Sequence, residues 1–207
     1  MLPGPRTRVA LVGTLVPLTL ALAACGDDTG EAPAAATSTA PNGDVVSSAD
    51  VTFARELIPH HAEALVMVDL TLGRDLDPRV ADLVERLRAE HTAQVQTMSG
   101  WLTSWGEPVP ETARDHANAH AAEDAGADAA PEDGHVDLSA LEQAQGEEFE
   151  AALLTAMVEH HAAGIALAEA EVADGEFGPA RELAAQVVDS QERETEQMRT
   201  LLEELGG

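Results

Sequence analysis

Residues 58–67 read IPHHAEALVM, and one hundred positions later residues 158–167 read VEHHAAGIAL. The adjacent histidines of the two stretches are not the only matched positions. The same offset pairs Leu65 with Ile165, Asp69 with Glu169, Leu83 with Leu183, and Met98 with Met198. A constant offset over this length indicates an internal repeat. Two units of two helices each predict an all-α fold, a four-helix bundle made of two repeated helical hairpins.

The helices are expected where apolar residues recur with helical spacing in a background rich in alanine and leucine, both strong helix formers. The periodicity predicts helices over about 50–73, 78–105, 138–174 and 179–205, with Gly146 interrupting the third. The folded domain is therefore expected to cover residues 50–207. Its repeat halves are about 50–105 and 146–207, and the acidic, histidine-containing segment 106–137 is the linker between them.

The first 24 residues have the pattern of a lipoprotein signal peptide. Arg6 and Arg8 form a basic start, residues 9–21 are mainly apolar, and Leu22-Ala23-Ala24 precedes Cys25. The apolar run is shorter than the ~20 residues that a spanning helix needs. We therefore expect cleavage before Cys25, the only cysteine, and lipidation of its thiol. Such a protein would be anchored by its lipid to the outer face of the cell membrane after export.

The segment 25–49 is rich in Ala, Thr, Ser, Pro, Gly and Asp and shows no apolar periodicity. This composition is typical of a flexible chain, so the segment is interpreted as a tether between the lipidated cysteine and the bundle.

The chain is strongly acidic, with 38 Asp and Glu residues against 11 basic residues and a formal net charge of −27. Phosphates would be repelled by such a surface, which argues against nucleic acid as a partner. A field of this sign concentrates cations instead. The charge thus leaves a metal ion as a plausible ligand, although most of the carboxylates are expected to be simply solvated.

Several polar side chains fall on the apolar faces of the expected helices. On helical wheels His61 and His161 lie in the middle of their apolar stripes, and His60 and His160 lie at the edges. The partner helices turn a second set inward: His91, Gln94 and Met98 in the first half, and Gln191, Glu194 and Met198 in the second. Buried polar groups need partners. The partners are either one another, in a hydrogen-bonded core network, or a metal ion.

Imidazole and thioether donors together suit copper, particularly Cu(I), better than calcium or magnesium. The metal hypothesis predicts two ligand sets, one in each half. They are His60, His61, His91 and Met98, with Met67 near the edge, and His160, His161, Glu194 and Met198. On this hypothesis copper is bound by a chaperone or buffer and not by an enzyme.

Two other interpretations remain open. In one the chain is a non-catalytic structural or interaction lipoprotein whose histidines only form a core network. In the other, less favoured, it is a redox metalloenzyme. A di-iron bundle requires two Glu-x-x-His motifs, but the sequence has His91-x-x-Gln94 and Gln191-x-x-Glu194. The linker histidines His116, His120 and His135 are interpreted as part of a solvated segment, and their role is left open.

The chain resembles the domain of unknown function 305 family in three stretches: IPHHAEALVM at 58–67, AQGEEFEAALLTAMVEHHAAGIALA at 144–168, and QERETEQM at 191–198. The resemblance covers about residues 50–207. It implies a ferritin-like four-helix bundle of exported or membrane-anchored bacterial proteins, some of them associated with copper binding and resistance. The sequence departs from the family pattern at Leu167, where a methionine is usual; the first half keeps it as Met67.

Overall fold

The fold is described by a computed structural model for residues 36–112 and 138–206. Two short strands precede five helices. They are β1 (Thr37–Thr39), β2 (Val45–Ser47), α1 (Ser48–Asp69), α2 (Pro78–Trp105), α3 (Leu138–Gln143), α4 (Gly146–Asp174) and α5 (Gly178–Leu205). The expected all-α class is confirmed, and the four long helices lie close to their expected positions.

Strands β1 and β2 pair in an antiparallel hairpin, which corrects the interpretation of segment 25–49 as a tether throughout. The turn uses Gly43, whose φ of +95° favours glycine. Val46 on β2 is buried in an apolar cluster with Trp105, at the end of α2. The indole Nε1 of Trp105 donates a hydrogen bond to Asp44 at 3.1 Å. The folded region thus begins before residue 50, because the hairpin covers apolar surface that the helices leave open.

Helix α1 begins two residues earlier than expected and ends four residues earlier. Its N-cap is Ser47. Asp50 occupies the third helical position, and the two residues form a reciprocal capping box. After Asp69 the chain leaves the helix through a turn that includes Gly73, at a φ of +77°.

Proline and glycine mark the limits of the second helical stretch and the break in the third. Helix α2 starts at Pro78 behind the N-cap Asp77 and stops at Gly106, which adopts the left-handed conformation at its C-cap. The break expected at Gly146 is present. This glycine has a φ of +57° and separates the short helix α3 from α4.

The long helices are packed in pairs. Helix α1 packs along α2, and α4 along α5, while α1 also packs against α4 and α2 touches α5. Apolar side chains form two clusters. The first apolar cluster includes Met67, Leu83, Phe149, Leu153, Met157, Met198 and Leu201. The second apolar cluster includes Phe53, Leu57, Met98, Leu102, Trp105, Ala168 and Val187.

The offset of one hundred residues is visible in the hydrogen bonds that join the helix pairs. The Asp50 carboxylate accepts a hydrogen bond from the backbone N–H of Phe177 at 2.9 Å. The Glu150 carboxylate accepts one from the backbone N–H of Asp77 at 2.7 Å. Each acid thus binds the turn between the two helices of the opposite pair. The two acceptors, Asp50 and Glu150, are one hundred residues apart, and so are the two donors, Asp77 and Phe177.

The carboxyl group of Asp50 lies beside that of Glu171, a residue that is 1% exposed. Burial opposes ionisation of Asp50, but hydrogen bonds from the backbone of Ser47 and Phe177 and the neighbouring Glu171 outweigh it and lower the pKa of Asp50. Burial, and then the nearby Asp50 carboxylate, raises the pKa of Glu171 to about 9. The buried pair therefore carries one negative charge at neutral pH.

Among the described helices, α4 has the length and apolar composition of a membrane-spanning helix. Core helices of bundles have the same properties, and α4 packs along both α1 and α5.

Candidate metal centre

Adjacent histidines on one helix point in directions about 100° apart, so a His-His pair can serve two neighbours at once. In α1, the ring of His60 stacks on His160 of α4, with centroids 3.7 Å apart and an interplanar angle of 14°. The next ring, His61, lies 4.3 Å from His91 of α2. The doubled histidine therefore links α1 to both helices that pack against it.

Five imidazoles form a continuous series across the bundle interior, which we call the histidine row. Its order is His160, His60, His61, His91 and His161. The longest steps, between His60 and His61 and between His91 and His161, measure 6.1 and 6.0 Å between centroids. The row includes rings from both halves of the repeat, contributed by α1, α2 and α4.

A carboxylate stands at each end of the row. At one end His160 Nε2 lies 3.9 Å from Glu63 of α1. At the other end His161 Nε2 and the Glu194 carboxylate of α5 are hydrogen-bonded at 2.9 Å. Glu194 also lines a surface cleft of about 300 Å³ between α2 and α5, together with Glu90. Both ends of the row therefore approach solvent through an acidic side chain.

Most of the ring nitrogens in the row have no hydrogen-bond partner among the described residues. Eight such nitrogens are buried: Nε2 of His60, Nδ1 of His161, and both nitrogens of His61, His91 and His160. The amide of Gln191 is buried and unpartnered as well. A buried polar group without a partner costs about 1–3 kcal/mol. A neutral imidazole has one lone pair and one N–H donor, so the five rings offer at most one lone pair each to a metal ion.

The interior keeps these imidazoles neutral. Burial, reinforced by neighbouring histidines, lowers the pKa of His60 to about 4, of His91 to about 3 and of His160 to about 2. The pKa of His61 is also well below its ordinary value, for the same reasons. A neutral imidazole offers a free lone pair, so these four rings are in the form that coordinates a metal ion.

The side chains of His60 and Gln191 lie close to the backbone of α4 at Gly164. A Cβ at this position would lie 2.8 Å from His60 Nε2 and 2.6 Å from Gln191 Oε1. Both distances are below van der Waals contact. Glycine therefore makes room for the tips of His60 and Gln191 against the helix backbone.

The methionines lie in the apolar clusters. Met67 and Met198 belong to the first cluster and Met98 to the second. All three are fully buried. Their thioethers pack with apolar side chains in this structure, and their predicted role as copper ligands stays a prediction.

The structure brings together rings that the prediction divided between two ligand sets, and the ligand sets themselves stay a prediction. His60 was assigned with His61, His91 and Met98, but its ring stacks on His160 of the other half. The rings form one series because α1 packs directly against α4. Glu63 was not included as a ligand, although its position three residues after His60 on one helical row was a usable signal. Cys25 and the linker histidines His116, His120 and His135 lie outside the described residues.

The fold and site define a class of small all-α bundle proteins with buried histidines at the junction of the helix pairs. The family model of the domain of unknown function DUF305 matches residues 50–202. The chain therefore belongs to the DUF305 family.

Solved structures of similar fold include members of this family. A DUF305 protein from Streptomyces coelicolor is 30% identical, with a TM-score of 0.63 over 77% of this chain and 95% of that one. A DUF305 fragment from Deinococcus radiodurans is 22% identical, with a TM-score of 0.61 over 77% and 98%. CopM in its Cu(II)-bound form is 23% identical, with a TM-score of 0.62 over 75% and 96%. No functionally curated protein matches the chain.

Proposed function

We propose that this protein binds copper in its histidine row and serves as a copper buffer or chaperone outside the cytoplasm. The observation that carries the proposal is the set of eight buried ring nitrogens without hydrogen-bond partners. A metal ion would satisfy several of them at once. Binding would also remove the free-energy penalty of leaving them unpaired.

The donor chemistry favours a transition metal. Imidazole nitrogens suit copper, zinc and nickel, whereas calcium and magnesium require oxygen ligands. The similar fold of CopM, solved with Cu(I), Cu(II) and silver, supports copper among these. At 23% identity that likeness concerns the fold, so the argument for copper in this chain depends on its own histidines.

The surface charge supports a cation ligand. A net charge of −27 raises the local concentration of cations. The two carboxylates at the ends of the row, Glu63 and Glu194, would extend this attraction to the bundle interior.

The proposal is tested by titrating metal-free protein, purified without a histidine tag, with Cu(I) under anaerobic conditions against a chromophoric chelator. The double variant His61→Ala/His161→Ala removes the middle of the row and one end of it. We expect its Cu(I) affinity to fall at least about 100-fold, since even the loss of an outer partner of a metal ligand costs about 10–100-fold. Circular dichroism checks that the variant still folds.

The matched control is His116→Ala/His120→Ala, which also removes two histidines but none from the row. We expect wild-type affinity from it. Equal affinity of wild type and His61→Ala/His161→Ala would contradict the site assignment, even if copper were bound elsewhere in the chain.

The location outside the cytoplasm rests on the sequence Leu22-Ala23-Ala24-Cys25. We expect intact-mass spectrometry of the native protein to show a diacylglyceryl modification at Cys25, and the Cys25→Ser variant to lose it together with membrane association. An unmodified thiol at Cys25 in the mature wild type would exclude the lipid anchor.

The alternative function, a structural or interaction lipoprotein with a core histidine network, is favoured by two contacts. His161 is already hydrogen-bonded to Glu194, and His60 already stacks on His160. This alternative predicts that copper adds nothing to the melting temperature. A site with ligand at 100 times its Kd would instead add about 2.7 kcal/mol to the free energy of unfolding.

A further inference from the structure

We propose that Glu63, His60 and His160 form a separate outer site for a divalent transition cation at one end of the histidine row. This inference rests on the proposed copper function and assigns a distinct chemistry to one part of the same centre. Its carboxylate ligand, Glu63, has no counterpart at the matching position of the second half.

The three side chains converge. One ligand atom from each lies within 4.8 Å of the others. Glu63 and His60 are three residues apart on α1 and thus neighbours on one helix face. His160 reaches them from α4, so the group bridges the contact between the two helix pairs.

The group stands at the boundary between solvent and the dry interior. The side chain of Glu63 is 25% exposed, whereas that of His160 is 3% exposed. A cation could therefore reach Glu63 from water and still be held by a desolvated imidazole. The remainder of the row continues inward from His60 to His61.

Unpaired nitrogens point to a ligand at this end. His60 Nε2 and both nitrogens of His160 are buried without hydrogen-bond partners. The nearest carboxylate oxygen of Glu63 is 3.9 Å from His160 Nε2, too far for a hydrogen bond. Metal–ligand bonds of about 2.0–2.2 Å place two ligand atoms at most about 4.4 Å apart. The lone pairs of two stacked rings run nearly parallel, so His60 and His160 would have to tilt out of their stack, and Glu63 would have to move, for all three to coordinate one ion.

Two imidazoles and a carboxylate make a harder donor set than imidazoles and thioethers alone. Such a set suits Cu(II) or Zn(II), whereas soft donors select Cu(I). We therefore assign a divalent cation to the outer site and use Cu(II) as its probe. Cu(I) is assigned to the remaining rings of the row, His61, His91 and His161.

The repeat separates the outer site from the rest of the centre. The position one hundred residues after Glu63 is Ala163, an exposed alanine. The other end of the row instead has Glu194, which comes from α5 and already binds His161. Only one copy of the Glu63 arrangement is therefore expected, with one divalent cation bound there per chain.

The test is the Glu63→Gln variant, which keeps the size of the side chain and removes its charge. Its matched control is Glu159→Gln, the same change on an exposed residue next to His160. Wild type and both variants are titrated with Cu(II) in air and with Cu(I) under anaerobic conditions. The electron paramagnetic resonance spectrum of the first Cu(II) equivalent is recorded for each protein.

We expect Glu63→Gln to lower the Cu(II) affinity at least tenfold, to change the copper hyperfine splitting, and to change the Cu(I) affinity less than twofold. Glu159→Gln should match wild type in all three measurements. Unchanged Cu(II) affinity and spectrum in Glu63→Gln would overturn the outer site, and so would an equal loss for both oxidation states. If the wild type binds neither ion, the proposed copper function fails and this inference with it.

Discussion

The imidazole of His60 stacks on that of His160 at 3.7 Å between ring centroids. These residues occupy the same position in the two halves of an internal repeat, so the halves meet ring against ring. The consequence is a shared centre. Neither half supplies the whole histidine row, and changes in one half are expected to affect histidines contributed by the other.

The metal-free protein should lose stability in acid at an unusually high pH. The folded-state pKa values of His60, His91 and His160 are lowered to about 4, 3 and 2, while unfolded histidine titrates near pH 6.5. Below that pH, unfolding takes up protons that the folded state refuses. The stabilising contribution is thus fully present above pH 6.5 and is lost as the pH falls below it.

The measurement is urea unfolding of chelator-treated protein between pH 7.5 and pH 4.5. Each proton taken up lowers the free energy of unfolding by about 1.4 kcal/mol per pH unit. The variant His91→Gln should show a shallower decline because it lacks one of the titrating groups. A flat profile down to pH 4.5 would show that the imidazoles are hydrated and not buried.

Glu171 predicts that the free energy of unfolding also depends on pH above 6.5, more weakly and with the opposite sign. Its pKa is raised to about 9 by burial and by Asp50, so the folded state holds a proton that the unfolded state has released. The free energy of unfolding should therefore fall as the pH rises from 6.5 to 9. Glu171→Gln, which cannot ionise, should remove this decline. The same slope in wild type and variant would assign it to other groups.

Gly164→Ala should weaken the centre and leave the fold intact. The added methyl group displaces the flexible tips of His60 and Gln191. We expect at least a tenfold loss in Cu(II) affinity. The matched control is Gly100→Ala in α2, where a Cβ has nothing within 4 Å. It should bind copper normally and be more stable by about 0.5–1 kcal/mol, since alanine favours the helix over glycine.

The two acids that hold opposite turns should differ in importance. Asp50 accepts hydrogen bonds from the backbone N–H groups of Ser47, Glu176 and Phe177. Its counterpart Glu150 accepts one, from Asp77. Asp50→Ala should lower the free energy of unfolding by about 2–4 kcal/mol and Glu150→Ala by about 1–2 kcal/mol. Both variants are measured by thermal and urea unfolding. A larger loss of unfolding free energy in Glu150→Ala than in Asp50→Ala would contradict this interpretation.

The β-hairpin should contribute to the stability of the domain. Val46 is 4% exposed and its strand neighbour Val45 is 50% exposed. Val46→Ala removes about two buried methylene equivalents and should lower the free energy of unfolding by about 1.5–3 kcal/mol. Val45→Ala should lower it by less than about 1 kcal/mol. Equal effects in urea unfolding would mean that the hairpin does not pack on the bundle in solution.

Local signals in the sequence were sufficient to predict the positions of the helices. Apolar periodicity placed α2 at its observed limits, and Gly146 marked the break before α4. The hairpin was missed because its residues are small and polar. Its stability comes from contacts with Trp105, sixty residues away, which no local pattern encodes.

Residue order alone was enough to predict the all-α fold, the repeat offset and the inward direction of the histidines, because helical periodicity fixes which residues share a face. The tertiary structure decided which histidines meet. Adjacent residues on one helix point about 100° apart, so the packing of α1 against both α2 and α4 sends His61 to His91 and His60 to His160. The same packing brings Glu63 to the end of the row, and that position depends on how the helices are arranged around one another and not on spacing along the chain.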